Sequence, residues 1–125
     1  MQYIGKIDIE IYSVITQDIE TDEVIITEEQ INHIKERHPD DYELFLKYIS
    51  EMLENPDYII ESNKPKTALV LKEIIENHKT FKFILRLKTS SDPKNYKNSI
   101  ITFMKINHKE YKRLIKNKKV LYKRE

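Results

Sequence analysis

Three kinds of side chain in this sequence are able to move a proton or hold a phosphate: one imidazole, one guanidinium and a pair of hydroxyls. His38 lies at the end of the stretch Glu28–His38, and on a helical wheel it falls between Ile31 and Ile34 on the apolar side, with His33 and Arg37 on the far side. An imidazole titrates at about pH 6.5 when unperturbed, which suits general acid or base work. It equally suits a cation capping the last carbonyls of a helix, worth on the order of 0.3–1 kcal/mol, and the sequence leaves both roles open. Arg86 stands in the alternating run Phe81–Lys88, in a chain that has four Arg against eighteen Lys. A guanidinium grips phosphate with two parallel hydrogen bonds where an ammonium supplies a point charge. Lys82 and Lys88 share its side of a strand, and Lys72 and Lys105 are candidates to join them from adjacent strands. Such a row is also what an ordinary solvated sheet face looks like. Asn98, Ser99 and Thr102 open a later strand. Buried hydroxyls need partners, so they either close the preceding loop or line a cleft. In a regular strand Ser99 and Thr102 point opposite ways, so both reach one site only through a bulge or the strand entry.

Metal and nucleotide-loop chemistry have little to build on. His33 and His38 are five residues apart and diverge on a helix, whereas a two-histidine zinc helix needs a spacing of four. His78 and His108 have no carboxylates at ligand spacing, and there is no Cys. No metal and no cofactor are expected. The one Gly, Gly5, excludes a glycine-rich phosphate loop.

The elements that must position these groups are legible from period and punctuation. Residues 3–16 alternate and predict a strand or hairpin arm, and Val24–Ile26 a short buried strand. Thr27 and Gln30 form a capping box for a helix that ends near His38, because Pro39 disfavours helical geometry before it. A second helix runs to Asn55-Pro56. Strands follow at 58–61, 68–75, 81–88 and 99–106, then a basic helix over 109–116 and a last strand at 120–122. Helices followed by a strand meander predict an α+β fold, with N-terminal helices packed on an antiparallel sheet of about four strands. The 125 residues suit a single domain, with residues 1–22 as an N-terminal extension of a core over 23–125.

Charge divides the chain. Residues 1–62 hold 16 acids and 4 bases, and residues 63–125 hold 5 acids and 18 bases, within a total of +1. A basic half attracts polyanions through counterion release. The N-terminus has acids in its apolar stretch and no small-residue cleavage site, and no run approaches the roughly 20 apolar residues of a membrane span. A cytoplasmic protein without a membrane partner is the expectation.

The segments HIKERHP (33–39), NPDYII (55–60), FKFILRLKT (81–89), NYKNSIITFMKI (95–106) and KNKKVLYKRE (116–125) resemble the phage-borne barnase/EndoU/colicin/RelE-like (PBECR) nuclease domains, from about Val24 to the C-terminus. The resemblance implies an α+β BECR-like fold and a metal-independent RNase of a phage, mobile element or toxin system, in a bacterial cell. By motif it puts catalytic roles on His38, Arg86, Ser99 and Thr102. The chemistry would be attack of a ribose 2′-OH on the adjacent phosphate, leaving a 2′,3′-cyclic phosphate. His38 would move the proton and Arg86 would hold the phosphate, with Ser99 and Thr102 orienting it. Lys72, Lys88, Asn98, Tyr122 and Arg37 are the substrate-binding candidates. Tyr122 is either a second proton donor or a packed aromatic, and Tyr96 stands in for the missing Trp as a stacking group. RNA is the expected partner, with an immunity or antitoxin protein as a further one; oligomeric state is left open. Two rivals remain: a non-catalytic binding module of the same fold, and a protein whose acidic and basic halves satisfy each other.

Overall fold

Apolar alternation in the C-terminal half builds the centre of a sheet, and the strands around it complete two faces. A computed structural model describes all residues, 1–125. The chain runs β1 (Gln2–Lys6), α1 (Ile9–Tyr12), β2 (Glu23–Ile26), α2 (Glu28–Arg37), a 3-10 turn (Pro39–Asp41) and α3 (Tyr42–Glu54). It continues with β3 (Tyr58–Glu61), β4 (Thr67–Ile74), a 3-10 turn (Ile75–Asn77), β5 (Lys79–Arg86), β6 (Asn98–Ile106), α4 (His108–Asn117) and β7 (Val120–Lys123). The sheet order is β1-β2-β6-β5-β4-β3-β7.

The fold is α+β, but the expected four-stranded antiparallel sheet becomes a seven-stranded mixed one. Strands β3 to β6 form an antiparallel meander. β7 returns to pair with β3. β2 joins β6 in parallel through Val24↔Asn98 and Ile25↔Ser99. Between β2 and β6 the chain passes through two helices and three strands, a connection long enough to bring the two together in parallel. The predicted arm over residues 3–16 is also corrected. Only Gln2–Lys6 is a strand, paired with β2. The side chain of Asp8 accepts the Glu10 N–H at 3.0 Å and caps α1, while Ile7 and Tyr12 enter the core.

Period two sorts the strands by face. Val70, Phe81, Phe83, Leu85 and Phe103 point to the side covered by α2 and α3, against Ile34, Phe45 and Met52. Phe103 meets Phe45 edge-on at 5.0 Å and stacks on Phe81 at 5.4 Å. Each such pair contributes about 0.5–1.5 kcal/mol beyond its buried area. The opposite, outer face carries Ile60, Leu69 and Leu71, on which α4 lays Leu114. Helices therefore lie on both faces, because the apolar stripe of α4 needs a surface that α2 and α3 have left free. Thr27 caps α2 by accepting the Gln30 N–H at 3.2 Å. The helix closes with the His38 N–H on the Ile34 carbonyl at 2.8 Å, just before Pro39.

Candidate active site

α4 covers only part of the outer face. Past its C-terminal end, between Lys118 and the β3–β4 turn, lies a cleft of about 670 Å³. Leu69, Ile84 and Ile101 make its apolar floor, and Lys64, Lys66, Arg86 and Lys118 supply its charge. No acid is among the residues that line it.

A bulge brings the hydroxyls to this face. Ile84 pairs with Thr102, but Leu85 pairs with Ile100 and Arg86 with Ser99, so Ile101 is an extra residue on β6. Directly opposed residues in an antiparallel pair share a face. The extra residue restores phase between Ser99 and Thr102, and both stand on the side of Arg86.

Arg86 is held by an acid from the β5–β6 loop. Its Nη2 donates to Asp92 Oδ1 at 2.8 Å and its Nη1 to Oδ2 at 3.2 Å; Nη1 also donates to the Leu87 carbonyl. Asp92 Oδ2 further accepts the Thr89 N–H at 2.8 Å and the Thr89 hydroxyl at 3.1 Å, and Lys66 Nζ lies 3.9 Å away. The Arg86 guanidinium first, and the Thr89 N–H next, hold the Asp92 carboxyl far below the ordinary carboxylate range. The pairing occupies the Nη1/Nη2 edge of the guanidinium. Its Nε–H and second Nη2 hydrogen form another edge, on a side chain one-third exposed at 33%.

The loop is anchored by Asn98. Its Oδ1 accepts the Lys88 N–H at 2.8 Å, and its Nδ2 donates to the carbonyls of Thr21 and Glu23 at 2.8 and 2.9 Å. Asn98 is fully buried, so it clips β6 to the N-terminal strands and lies out of substrate's reach. Lys88 is buried too, with Nζ 3.3 Å from Glu20 Oε1. Lys72 pairs across from Phe81, which turns it to the helix side, and its Nζ lies 3.3 Å from Asp57 Oδ1. Lys105 faces Phe81 from β6, and so leaves the Arg86 face as well. Tyr122 packs against the helix-side core near the buried Tyr12. Arg37 is exposed in the last turn of α2.

His38 is half-buried at the end of α2. The turn that follows it docks on the far end of β6, where Asp41 Oδ2 accepts the Lys105 N–H at 3.0 Å. Ser99 and Lys105 are six residues apart on that strand, about 20 Å at roughly 3.3 Å each. The structure thus puts Arg86, Ser99 and Thr102 on one face, with Arg86 alone of the three in the cleft wall, and leaves His38 outside the cleft. His33, expected in solvent, is half-buried as well.

Sequence reasoning missed Lys64, Lys66, Lys118 and Asp92. The first two fall in the gap between the strands predicted at 58–61 and 68–75. The signal for Asp92 was its rarity, one of five acids in the basic half. The Asp of NPD also finds a role: Asp57 accepts from the Glu73 N–H at 2.7 Å and Arg124 Nε at 2.8 Å besides Lys72, tying β4 to the C-terminus. No three His, Asp or Glu side chains gather to hold a metal ion, and no helix is long and apolar enough to cross a membrane.

A family model described as phage-Barnase-EndoU-ColicinE5/D-RelE like nuclease2, PBECR2, matches residues 1–123. The match takes in the first 20 residues, which the sequence motifs had left outside. No curated protein and no solved structure matches the chain.

Proposed function

Since the chain belongs to the phage-Barnase-EndoU-ColicinE5/D-RelE like nuclease 2 family, we propose that it is a metal-independent endoribonuclease that takes the RNA backbone into the cleft beside Arg86. The observation that carries this reading is the joining of three sequence-marked groups, Arg86, Ser99 and Thr102, on one face by the β6 bulge. The cleft on that face, which Arg86 lines and the two hydroxyl residues adjoin, has four cations and no acid in its wall.

In this reading the 2′-OH gives up its proton as its oxygen bonds to the adjacent phosphorus, the bond to the 5′-oxygen breaks, that oxygen takes up a proton to leave as a 5′-hydroxyl, and a 2′,3′-cyclic phosphate remains. The free edge of Arg86 holds the charge that builds on the non-bridging oxygens, already oriented by Asp92 and with no reorganisation to make. The Ser99 and Thr102 hydroxyls donate to the same phosphate. His38, the base the motif proposes for the 2′-OH proton, stands too far from the cleft to reach it in this arrangement. Its place beyond the cleft makes its variant the informative one.

The test incubates purified protein with bacterial RNA in EDTA and sequences the ends. Fragments ending in 2′,3′-cyclic phosphate are expected. Arg86→Lys should be slowed about 100-fold or more, since a lysine cannot grip Asp92 and a phosphate at once. Intact RNA would overturn the reading. The seat of His38 favours a second reading, a non-catalytic nucleic-acid-binding module of the same fold. Salt-sensitive binding with no cleavage, unchanged in His38→Ala, would select it.

A further inference from the structure

The strand register lays one continuous row across the outer face. Tyr3 on β1 pairs with Ile25 on β2, Ile25 with Ser99 on β6, and Ser99 with Arg86 on β5. Partners in register share a face. Tyr3 therefore stands on the same side as Arg86, three strand spacings away, or about 14 Å at roughly 4.8 Å each. It is a large aromatic on the edge strand and is 51% exposed. Ile25, itself buried, lies between the ring and Ile101 of the cleft floor, and neither is in the apolar cluster under α4, which takes in β3, β4 and Ile106 at the far end of β6.

Charge on this face is one-sided. Arg86, Lys64, Lys66 and Lys118 lie at the cleft end. At the Tyr3 end Glu23 pairs with Lys97, whose Nζ is 2.7 Å from Oε1, and also faces Lys6 across the strands, which leaves less net charge there. A duplex presents two phosphate rows and keeps its base faces inside the stack. A single strand presents one phosphate row and open base faces, and an exposed aromatic binds such a face whatever the base.

From this row we infer that Tyr3 is a stacking platform for a nucleobase and that the substrate crosses the sheet unpaired, from Tyr3 to the Arg86 cleft. The inference rests on the reading that the cleft takes a backbone phosphate. It adds the substrate class, single-stranded rather than duplex nucleic acid, and a specificity residue that the site motifs do not contain.

The test measures fluorescence anisotropy of the full chain with an unstructured, end-labelled oligoribonucleotide. Every 2′-hydroxyl is methylated, so that no attack occurs. The same strand is also presented in a duplex, and abasic sites are moved along it. The wild type should bind the single strand more tightly than the duplex. Tyr3→Ala should weaken single-strand binding about tenfold, within the range that stacking supplies, while Tyr3→Phe retains it. An abasic site at one position should cost the wild type a similar factor and cost Tyr3→Ala nothing further, a coupling that a merely structural tyrosine would not show. Thermal melting checks that both variants fold. If Arg86→Ala loses binding and Tyr3→Ala does not, the platform is overturned and the cleft reading stands. Equal binding of duplex and single strand also overturns the platform. If the wild type binds neither, or Arg86→Ala binds as the wild type does, the cleft reading falls and the inference falls with it.

Discussion

At the scale of single residues, the pair of Arg86 and Asp92 organises the site. A guanidinium on an open sheet face would sample many rotamers, and ordering it at each binding event would weaken the grip on phosphate. Asp92 orders it beforehand and is itself ordered by Thr89. Asp92 also links the site to stability. Its folded-state titration lies below the unfolded value of about 3.9. The stabilisation is therefore fully present above that value and is lost as the pH falls through it toward the folded one. Urea midpoints of the wild type and Asp92→Asn should differ most at neutral pH and converge below about pH 4. A gap that stays constant down to pH 3 would mean that the ion pair adds nothing to the fold.

At the scale of elements, the bulge in β6 and the Asn98 clip do different work. The bulge puts Thr102 in phase with Ser99. The clip fixes where β6 begins, by joining it to Thr21, to Glu23 at the start of β2 and to the strand exit at Lys88. Asn98→Ala leaves two carbonyls and one N–H without those partners. At about 1 kcal/mol or more for each, the variant should lose roughly 3 kcal/mol of stability, measured by urea denaturation. Ser99→Ala, on the open face of the same strand, should be nearly neutral for stability. A similar loss in both would place the effect in the strand as a whole. Gly5 is a smaller device of the same kind: β1 bulges there at φ 156°, and a Cβ would lie 3.3 Å from Leu53 of α3.

At the scale of the whole molecule, the compositional dipole is partly spent on folding. Glu20 with Lys88, Glu23 with Lys97, and Asp57 with Lys72 and Arg124 all join the acidic half to the basic one. That much of the mutual-satisfaction rival is realised. The cleft retains an excess of positive charge, since Asp92 is shared by Arg86 and Lys66 while Lys64 and Lys118 project from the rim. If all four cations meet phosphates of a single strand, the logarithm of affinity should fall with the logarithm of salt at a slope of about −3. Lys64→Ala should flatten the slope by about 0.7, with little effect on which sequences are bound. A titration insensitive to salt would exclude the cleft as the contact surface.

Local pattern alone reached the α+β class, the central strands, the cap on Thr27, the stop at Pro39 and the marking of Arg86, Ser99 and Thr102. Alternation, capping and proline geometry act over a few residues, so they are written where they act. The sequence also stated the condition for Ser99 and Thr102 to meet, without showing that it holds. Only the tertiary structure decided the parallel docking of β2, the second helical layer, the pairing of Arg86 with Asp92 and the separation of His38 from the cleft. Those depend on which strands become neighbours and in what register. A shift of one residue reverses every side chain, and no short stretch of sequence carries that information.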